Sequence, residues 1–172
     1  MFSSALAKSS ISSYLVNLSN INSMFQIRCF SSPITKVIEG DPIPLKRHRI
    51  SRGRMFNPSC HQQIEFLQSC KDIIPSEPIE GPIEIDFKFF LKRPKSHYRS
   101  VKKKFVLKEE EVSNCLQIKK PDIDNLIKFV LDSLNGHLYK DDAQVCRIVS
   151  EKRYINDFYD EKPRTELKIK KL

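Results

Sequence analysis

Glycine is scarce in this chain, with only four among 172 residues. This excludes a glycine-rich loop of the kind that cradles nucleotide phosphates, and the chain shows no internal repeat. No apolar run approaches the roughly 20 residues that span a bilayer, so we predict no membrane association. Cysteines number five, an odd count, and none form a C-x-x-C pair. We therefore predict reduced, mostly buried thiols in a reducing compartment.

Acidic residues are absent before Glu39, and Lys8 and Arg28 are the only charged residues in the segment 1–32. This segment is rich in serine, and Arg28-Cys29-Phe30-Ser31-Ser32 resembles a presequence cleavage site. We predict a transit peptide over residues 1–32 that directs the protein to the mitochondrial matrix, in preference to the plastid or the nucleus. The alternative is a terminal tail without targeting information.

Residues 33–172 carry 28 basic and 21 acidic side chains, a net charge of +7. The chain, 40% hydrophobic, is long enough for one domain with its own core. Apolar periodicity predicts strands over 34–39, 82–92, 143–155 and 165–172, with helices from Asn57-Pro58 to Pro75 and over 123–135. The order β-α-β-α-β-β predicts a single small α/β domain of the α+β layer type, in which a mixed sheet carries two main helices on one face.

Basic side chains crowd the loop 41–57, between the first strand and the first helix. They are Lys46, Arg47, His48, Arg49, Arg52 and Arg54. Arginine can hold a phosphate with two hydrogen bonds, and each neutralised phosphate releases counterions. The loop therefore predicts contact with nucleic acid, although a solvated or RNA-binding loop would have the same composition. A further basic run within 93–119 is a candidate second arm for DNA.

Carboxylates gather where the second main helix begins. Pro121 favours an extended approach to Asp122, and side chains two apart on an extended chain point the same way. Asp122 and Asp124 can therefore converge, with Lys128 one helical turn beyond Asp124. A second pair, Asp141-Asp142, precedes the next strand, and spacing does not fix which end of the helix it approaches. On a basic chain, such carboxylates predict a divalent metal site for phosphodiester hydrolysis.

The same residues also have a purely structural interpretation. Asp122 or Asp124 can cap the helix, and Asp141-Asp142 can be ordinary turn residues. The protein would then be a non-catalytic organellar DNA-binding or RNA-binding protein. Such a protein would bind without metal and would release no product.

One block of the sequence resembles a known family. It comprises Lys120-Pro121-Asp122-Ile123-Asp124-Asn125-Leu126-Ile127-Lys128 and, further on, Asp141-Asp142-Ala143-Gln144-Val145. In kind, order and spacing it is similar to the signature of RusA-type Holliday junction resolvases. The resemblance extends more weakly from Ile34 to the C-terminus. It implies a RusA-like endonuclease domain over 33–172.

The resemblance also implies the chemistry. It predicts a homodimeric, Mg²⁺-dependent endodeoxyribonuclease that resolves four-way DNA junctions in recombination and repair, with Mn²⁺ as a substitute metal. Asp122, Asp124 and Asp142 would bind the metal and carry catalysis together with Lys128. A metal-activated water would attack the phosphodiester.

DNA contact is assigned to eight residues: Lys46, Arg47, Arg49, Arg52, Arg54, Lys119, Lys120 and Asn125. The segment 93–119 is longer than in compact members of the family and carries acidic as well as basic residues. Other branched nucleic acids are therefore alternative substrates. Phe90 and the apolar side of the strand 82–92 are candidate dimer surfaces.

Overall fold

The computed structural model describes residues 32–113, 115–156 and 160–172, so all of the predicted transit segment except Ser32 lies outside the described residues. The strands are β1 (Ile34–Glu39), β2 (Arg49–Ser51), β3 (Arg54–Phe56), β4 (Ile83–Leu91), β5 (Tyr98–Val101), β6 (Lys104–Leu107), β7 (Val145–Tyr154) and β8 (Arg164–Lys171). The α-helices are α1 (Cys60–Ser69), α2 (Glu109–Val112) and α3 (Ile123–Leu134). Within the described ranges, no helix has the length and apolar character needed to cross a membrane.

Four strands form one mixed sheet in the order β1-β8-β4-β7. Strand β8 is antiparallel to β1 and β4, whereas β4 and β7 are parallel. Successive side chains of a strand point to opposite faces, so the alternating sequence of β4 gives it one apolar side. That side is buried at Ile83, Ile85, Phe87, Phe89 and Leu91. The predicted mixed sheet and the order of its main elements are confirmed.

Both main helices share one core with the apolar side of β4. Phe66 of α1 meets Phe129 of α3 edge to face, with ring centroids 5.6 Å apart. The buried residues of α3 are Leu126, Phe129, Val130, Ser133 and Leu134. Ile127 and Leu131 of the same helix are only half-buried. The buried side of α3 includes Phe129 because α1 packs beside α3 at that residue.

Phe90 lies on the opposite side of β4 from this core, yet it is only 6% exposed. The guanidinium carbon of Arg164 stands 3.6 Å from the centroid of its ring, a cation–π contact. The prediction that Phe90 or the apolar side of β4 forms a dimer surface is therefore wrong. Arg164 covers Phe90, and the helices cover the apolar side of β4.

Two hairpins and the short helix α2 were not predicted. The hairpin β2–β3 lies inside the basic loop and turns at Arg52 and Gly53, which have φ of 50° and 74°. Two successive positive φ values are what a tight hairpin turn of the primed type requires. The start of α1 also differs from the prediction. Its N-cap residue is Ser59, whose N–H donates to Asn57 Oδ1 at 2.8 Å, so Asn57 belongs to the preceding turn.

Four of the five cysteines are described, and they are unpaired. Cys70 is buried, and burial raises the pKa of its thiol to about 11. Cys115 is half-buried, whereas Cys60 and Cys146 are exposed. The prediction of mostly buried thiols is therefore wrong for the described cysteines. Cys60 begins a surface helix, and Cys146 lies on the edge strand β7.

Candidate functional site

The acidic pair spans the beginning of α3. Asp122 is the N-cap residue with φ −73° and ψ 143°, and Asp124 lies in the first turn. The extended backbone expected after Pro121 is confirmed. An aspartate at this position usually accepts a hydrogen bond from the first turn of the helix. The Asp122 side chain accepts none, and its exposed carboxylate is not committed to the helix.

Asp124 and Lys128 are also exposed. Asp124 Oδ1 lies 3.5 Å from Asn125 Nδ2, a distance at which a hydrogen bond is weak. Lys128 follows one turn along the same helix, and its ammonium forms no ion pair with any described residue. Both carboxylates and the lysine are therefore available to an outside partner.

The loop before Asp122 is fastened to β7. Lys152 Nζ donates to the carbonyl oxygens of Lys119 at 2.7 Å and Pro121 at 2.6 Å. Gln117 Nε2 donates to the carbonyl oxygen of Lys120 at 3.0 Å. Burial lowers the pKa of Lys152, and the negative charge of Asp122 opposes that decrease. The charge of Asp122 therefore acts on the Lys152 ammonium, although the two groups form no ion pair.

The basic loop is attached to the same helix terminus. The N–H of Leu45 donates to the carbonyl oxygen of Asn125 at 2.9 Å, and the N–H of Lys46 donates to Ser59 Oγ at 3.0 Å. Beyond these anchors, the basic side chains are all exposed: Lys46, Arg47, His48, Arg49, Arg52 and Arg54. We call residues 46–56 the basic arm. The base of this arm is therefore hydrogen-bonded to the residue that follows Asp124.

Asp141 and Asp142 differ in what they contact. The Asp141 carboxylate accepts from the N–H of Ala143 at 2.8 Å, and the Asp141 N–H donates to Gln144 Oε1 at 2.9 Å. Asp141 therefore caps the short 3₁₀ turn Asp142–Gln144, as the structural interpretation of this residue predicts. Asp142 is exposed and takes no part in that cap.

The charge of Asp142 influences the C-terminal half of α3. Burial raises the pKa of Asp132, and the negative charge of Asp142 raises it further, while Lys128 and His48 lower it. Eight helical residues separate Asp124 from Asp132, which corresponds to about 12 Å along the axis. Asp142 therefore influences the helix well beyond the end that bears Asp122.

In residues 32–113, 115–156 and 160–172, no three aspartate, glutamate, histidine or cysteine side chains are grouped so that they could hold one metal ion. Asp122, Asp124 and Asp142 are therefore not found as one such group among these residues. Asp122 and Asp124 nevertheless offer two exposed carboxylates at one helix terminus, which are ligands of the kind that a divalent ion takes. Mg²⁺ is usually held by one or two carboxylates, with water and substrate phosphates supplying the remaining oxygens. That Asp142 is a ligand stays a prediction.

Lys119 and Lys120 are exposed on the loop before α3, as DNA-contacting residues should be. Their carbonyl oxygens point to Lys152 and Gln117, two residues that the sequence analysis missed. No local pattern identifies these two, because their role depends on contacts across the fold. Asp132 was also missed, although its position four residues after Lys128 was a usable signal.

The fold and the site together define a small basic α/β domain whose paired carboxylates adjoin an arginine-rich arm. The sequence profile of one family, described as Endodeoxyribonuclease RusA, matches residues 39–170. The chain belongs to the RusA endodeoxyribonuclease family, which confirms the resemblance found in the sequence.

A relative is found in Bacillus subtilis (strain 168). The chain is 39% identical over 98 residues to its "Uncharacterized protein YqaN". This region covers 57% of the present chain and 63% of that relative. The chain therefore spans less than two thirds of the relative's length, and the name of that relative says nothing about activity.

Proposed function

We propose that this protein is a Mg²⁺-dependent endodeoxyribonuclease that resolves four-way DNA junctions in recombination and repair. The observation that carries the proposal is the backbone hydrogen bond from Leu45 to Asn125. It joins the base of the basic arm to the residue that follows Asp124. Groups suited to a metal and groups suited to phosphates are thereby held together on one α/β domain.

The acidic pair would hold the metal. Asp122 has an uncommitted carboxylate at the helix N-cap, and Asp124 contributes a second from the first turn. When bound, the ion would make water a better nucleophile and would stabilise charge on the scissile phosphate. The residues themselves supply fixed carboxylate oxygens, and Asn125 Nδ2 helps to orient the Asp124 side chain.

Lys128 would act on the substrate. Its exposed ammonium stands one turn beyond Asp124, where it can stabilise negative charge on the phosphate or on the leaving oxygen. Asp142 would be the third carboxylate of the reaction, as the family resemblance implies. The charges of Asp142 and of His48 both influence the pKa of Asp132, on the far half of α3.

The basic arm would hold the DNA backbone. Arg49, Arg52 and Arg54 are exposed on the hairpin β2–β3 and can grip phosphates with paired hydrogen bonds. Lys46, Arg47, Lys119, Lys120 and Asn125 would extend this contact toward the acidic pair. A homodimer would suit a four-way junction, since two-fold symmetry presents two identical sites to two symmetric strands.

Cleavage should depend on both carboxylates of the acidic pair. Asp122→Asn and Asp124→Asn each remove one anionic ligand while keeping the shape of the side chain. A catalytic metal contributes several kcal/mol of charge stabilisation, so cleavage of a labelled four-way junction should fall by at least about 100-fold. Junction binding should persist, because the basic arm is unchanged. Nicking assays with Mg²⁺ and with EDTA, beside gel-shift titrations, measure both quantities.

Asp141→Asn is the matched control, because Asp141 serves as a cap and the substitution removes the same charge. It should leave cleavage near the wild-type rate. Folded Asp122 and Asp124 variants that lose binding and cleavage in equal proportion would contradict the assignment. Running Asp142→Asn in parallel tests the third proposed carboxylate, whose loss should also abolish cutting.

A second candidate function has two observations in its favour. The described residues contain no group of three metal-binding side chains, and Asp141 is used as a cap. A non-catalytic organellar DNA-binding or RNA-binding protein would show the same features. It would bind junctions equally well in EDTA and would leave every substrate intact. Flaps, replication forks and RNA in the same panel test a nuclease of different substrate preference.

A further inference from the structure

Lys152 occupies an unusual position for a lysine. It lies directly opposite Phe89 across the parallel strands β4 and β7, so its side chain starts from the face of the sheet that the helices cover. An ammonium on that face needs hydrogen-bond partners, because burying an unsatisfied charge is costly. Lys152 Nζ finds them in the carbonyl oxygens of Lys119 and Pro121, at 2.7 and 2.6 Å.

A second attachment reinforces the first. The Gln117 N–H donates to the carbonyl oxygen of Lys152 at 3.0 Å, and the Gln117 side-chain amide donates to the carbonyl oxygen of Lys120. Gln117 is only 7% exposed. The three successive carbonyl groups before Asp122 are therefore each held by a side chain that is bound to, or belongs to, β7.

This attachment fixes the peptide that leads directly into the acidic pair. Asp122 keeps an extended backbone at the N-cap, and its carboxylate does not accept the hydrogen bond that aspartate normally accepts there. No carboxylate of a described residue forms an ion pair with Lys152. The ammonium thus holds the backbone close to Asp122 without neutralising its carboxylate in a direct pair.

We propose that Lys152 is a positioning residue for the metal-holding pair: its ammonium fixes the carbonyls of Lys119 and Pro121 so that the Asp122 carboxylate faces a metal instead of capping α3. This inference rests on the proposed function. Without Lys152, the loop is free to relax, and Asp122 turns back to the helix. Lys152 itself touches neither metal nor DNA.

The test measures metal binding directly. Full-length wild type, Lys152→Met and Lys88→Met are titrated with Mn²⁺, and free Mn²⁺ is followed by its electron paramagnetic resonance signal. Lys88→Met removes the same charge from an exposed position on the opposite face of the sheet. Loss of a residue that orients a ligand weakens metal affinity by about 10- to 100-fold. We expect that loss in Lys152→Met and wild-type affinity in Lys88→Met.

Thermal unfolding shows whether Lys152→Met is folded. Two further variants test the role of Lys152 even if Lys152→Met is not. Lys152→Arg keeps a charge and several donors, so it should restore most of the Mn²⁺ affinity. Lys152→Gln keeps one neutral donor and should bind Mn²⁺ more weakly than wild type while remaining folded. Junction binding in EDTA should be the same for all folded variants, because Lys152 positions only the acidic pair.

The outcomes separate the two proposals. If folded Lys152→Met or Lys152→Gln binds Mn²⁺ with wild-type affinity, the role of Lys152 is overturned. Cleavage of the junction by the wild-type protein would in that case still support the nuclease proposal. If wild type itself neither binds Mn²⁺ nor cuts any substrate, the proposed function fails and the positioning role fails with it. Weaker Mn²⁺ binding with unchanged junction binding in the Lys152 variants supports the inference.

Discussion

Asp132 is a carboxylate that folding makes harder to ionise. Asp132 is exposed at the surface, yet partial desolvation raises its pKa, and the charge of Asp142 raises it further. The folded protein therefore holds this proton more tightly than the unfolded chain does. The corresponding stability is fully present below the unfolded pKa, near 3.9, and is lost as the pH rises through the raised pKa of the folded state.

Asp132→Asn should consequently increase the melting temperature at pH 8, where the wild-type carboxylate is charged. The gain should shrink as the pH falls and should vanish below about pH 4, where aspartate is protonated in both states. Thermal unfolding followed by circular dichroism between pH 3 and pH 8 measures this. Glu77→Gln removes one charge from an exposed position and should show little effect. An equal gain at all pH values would point to better packing instead.

At the residue scale, the sequence was informative about Asp122, Asp124 and Lys128. Helix periodicity and the preceding proline indicate where the helix begins, and therefore where these three residues lie on it. The sequence was uninformative about Lys152. That residue becomes important only because β7 returns to the beginning of α3, and such a return depends on the strand order. The sequence also could not decide between Asp141 and Asp142 as a cap, because both lie in the same short turn.

At the element scale, the hairpin β2–β3 carries exposed basic side chains and has no buried residues to stabilise it. Its strands are three residues each, and all their side chains are exposed. A pattern that lacks buried residues gives no alternation, which explains why the sequence predicted a loop here. Strands β1, β4 and β8 were predicted correctly because their more buried and more exposed residues largely alternate against a core. The hairpin is held instead by its turn at Arg52 and Gly53 and by the anchors at its base.

Replacing Arg49, Arg52 and Arg54 together by glutamine should weaken junction binding and flatten its salt dependence. Each phosphate contact contributes about 0.9 to the slope of log affinity against log salt concentration, so three lost contacts reduce it by up to about 2.7. Gel-shift titrations over a range of salt concentrations give the slope.

The matched control replaces Lys88, Lys168 and Lys170 by glutamine. These exposed residues alternate with core residues of β4 and β8 and therefore lie on the face of the sheet away from the helices. The control removes the same charge and should leave the slope nearly unchanged. Similar slopes for the two triple variants would mean that overall charge, and not the basic arm, drives binding.

At the scale of the whole molecule, we propose that residues 1–32 direct import into mitochondria. Fused to a reporter protein, this segment should carry the reporter into isolated mitochondria, where it becomes resistant to added protease. The substitutions Lys8→Glu and Arg28→Glu remove its only positive side chains and should prevent import. A reporter that stays accessible to protease with the unaltered segment would contradict the proposal. Residues 33–172 fused to the same reporter serve as the control.

Strand β8 lies between β1 and β4 in the sheet, although it follows both of them in the chain. During translation, β1 therefore has no neighbouring strand until Arg164–Lys171 has been made, and β4 must wait for β7 and β8 alike. Contacts so distant along the chain are slow to form. The nascent polypeptide consequently cannot complete its sheet before β8 has been made. Until then it remains a substrate for chaperones, and the mitochondrial import that we propose would thread it through a narrow translocation channel before it folds.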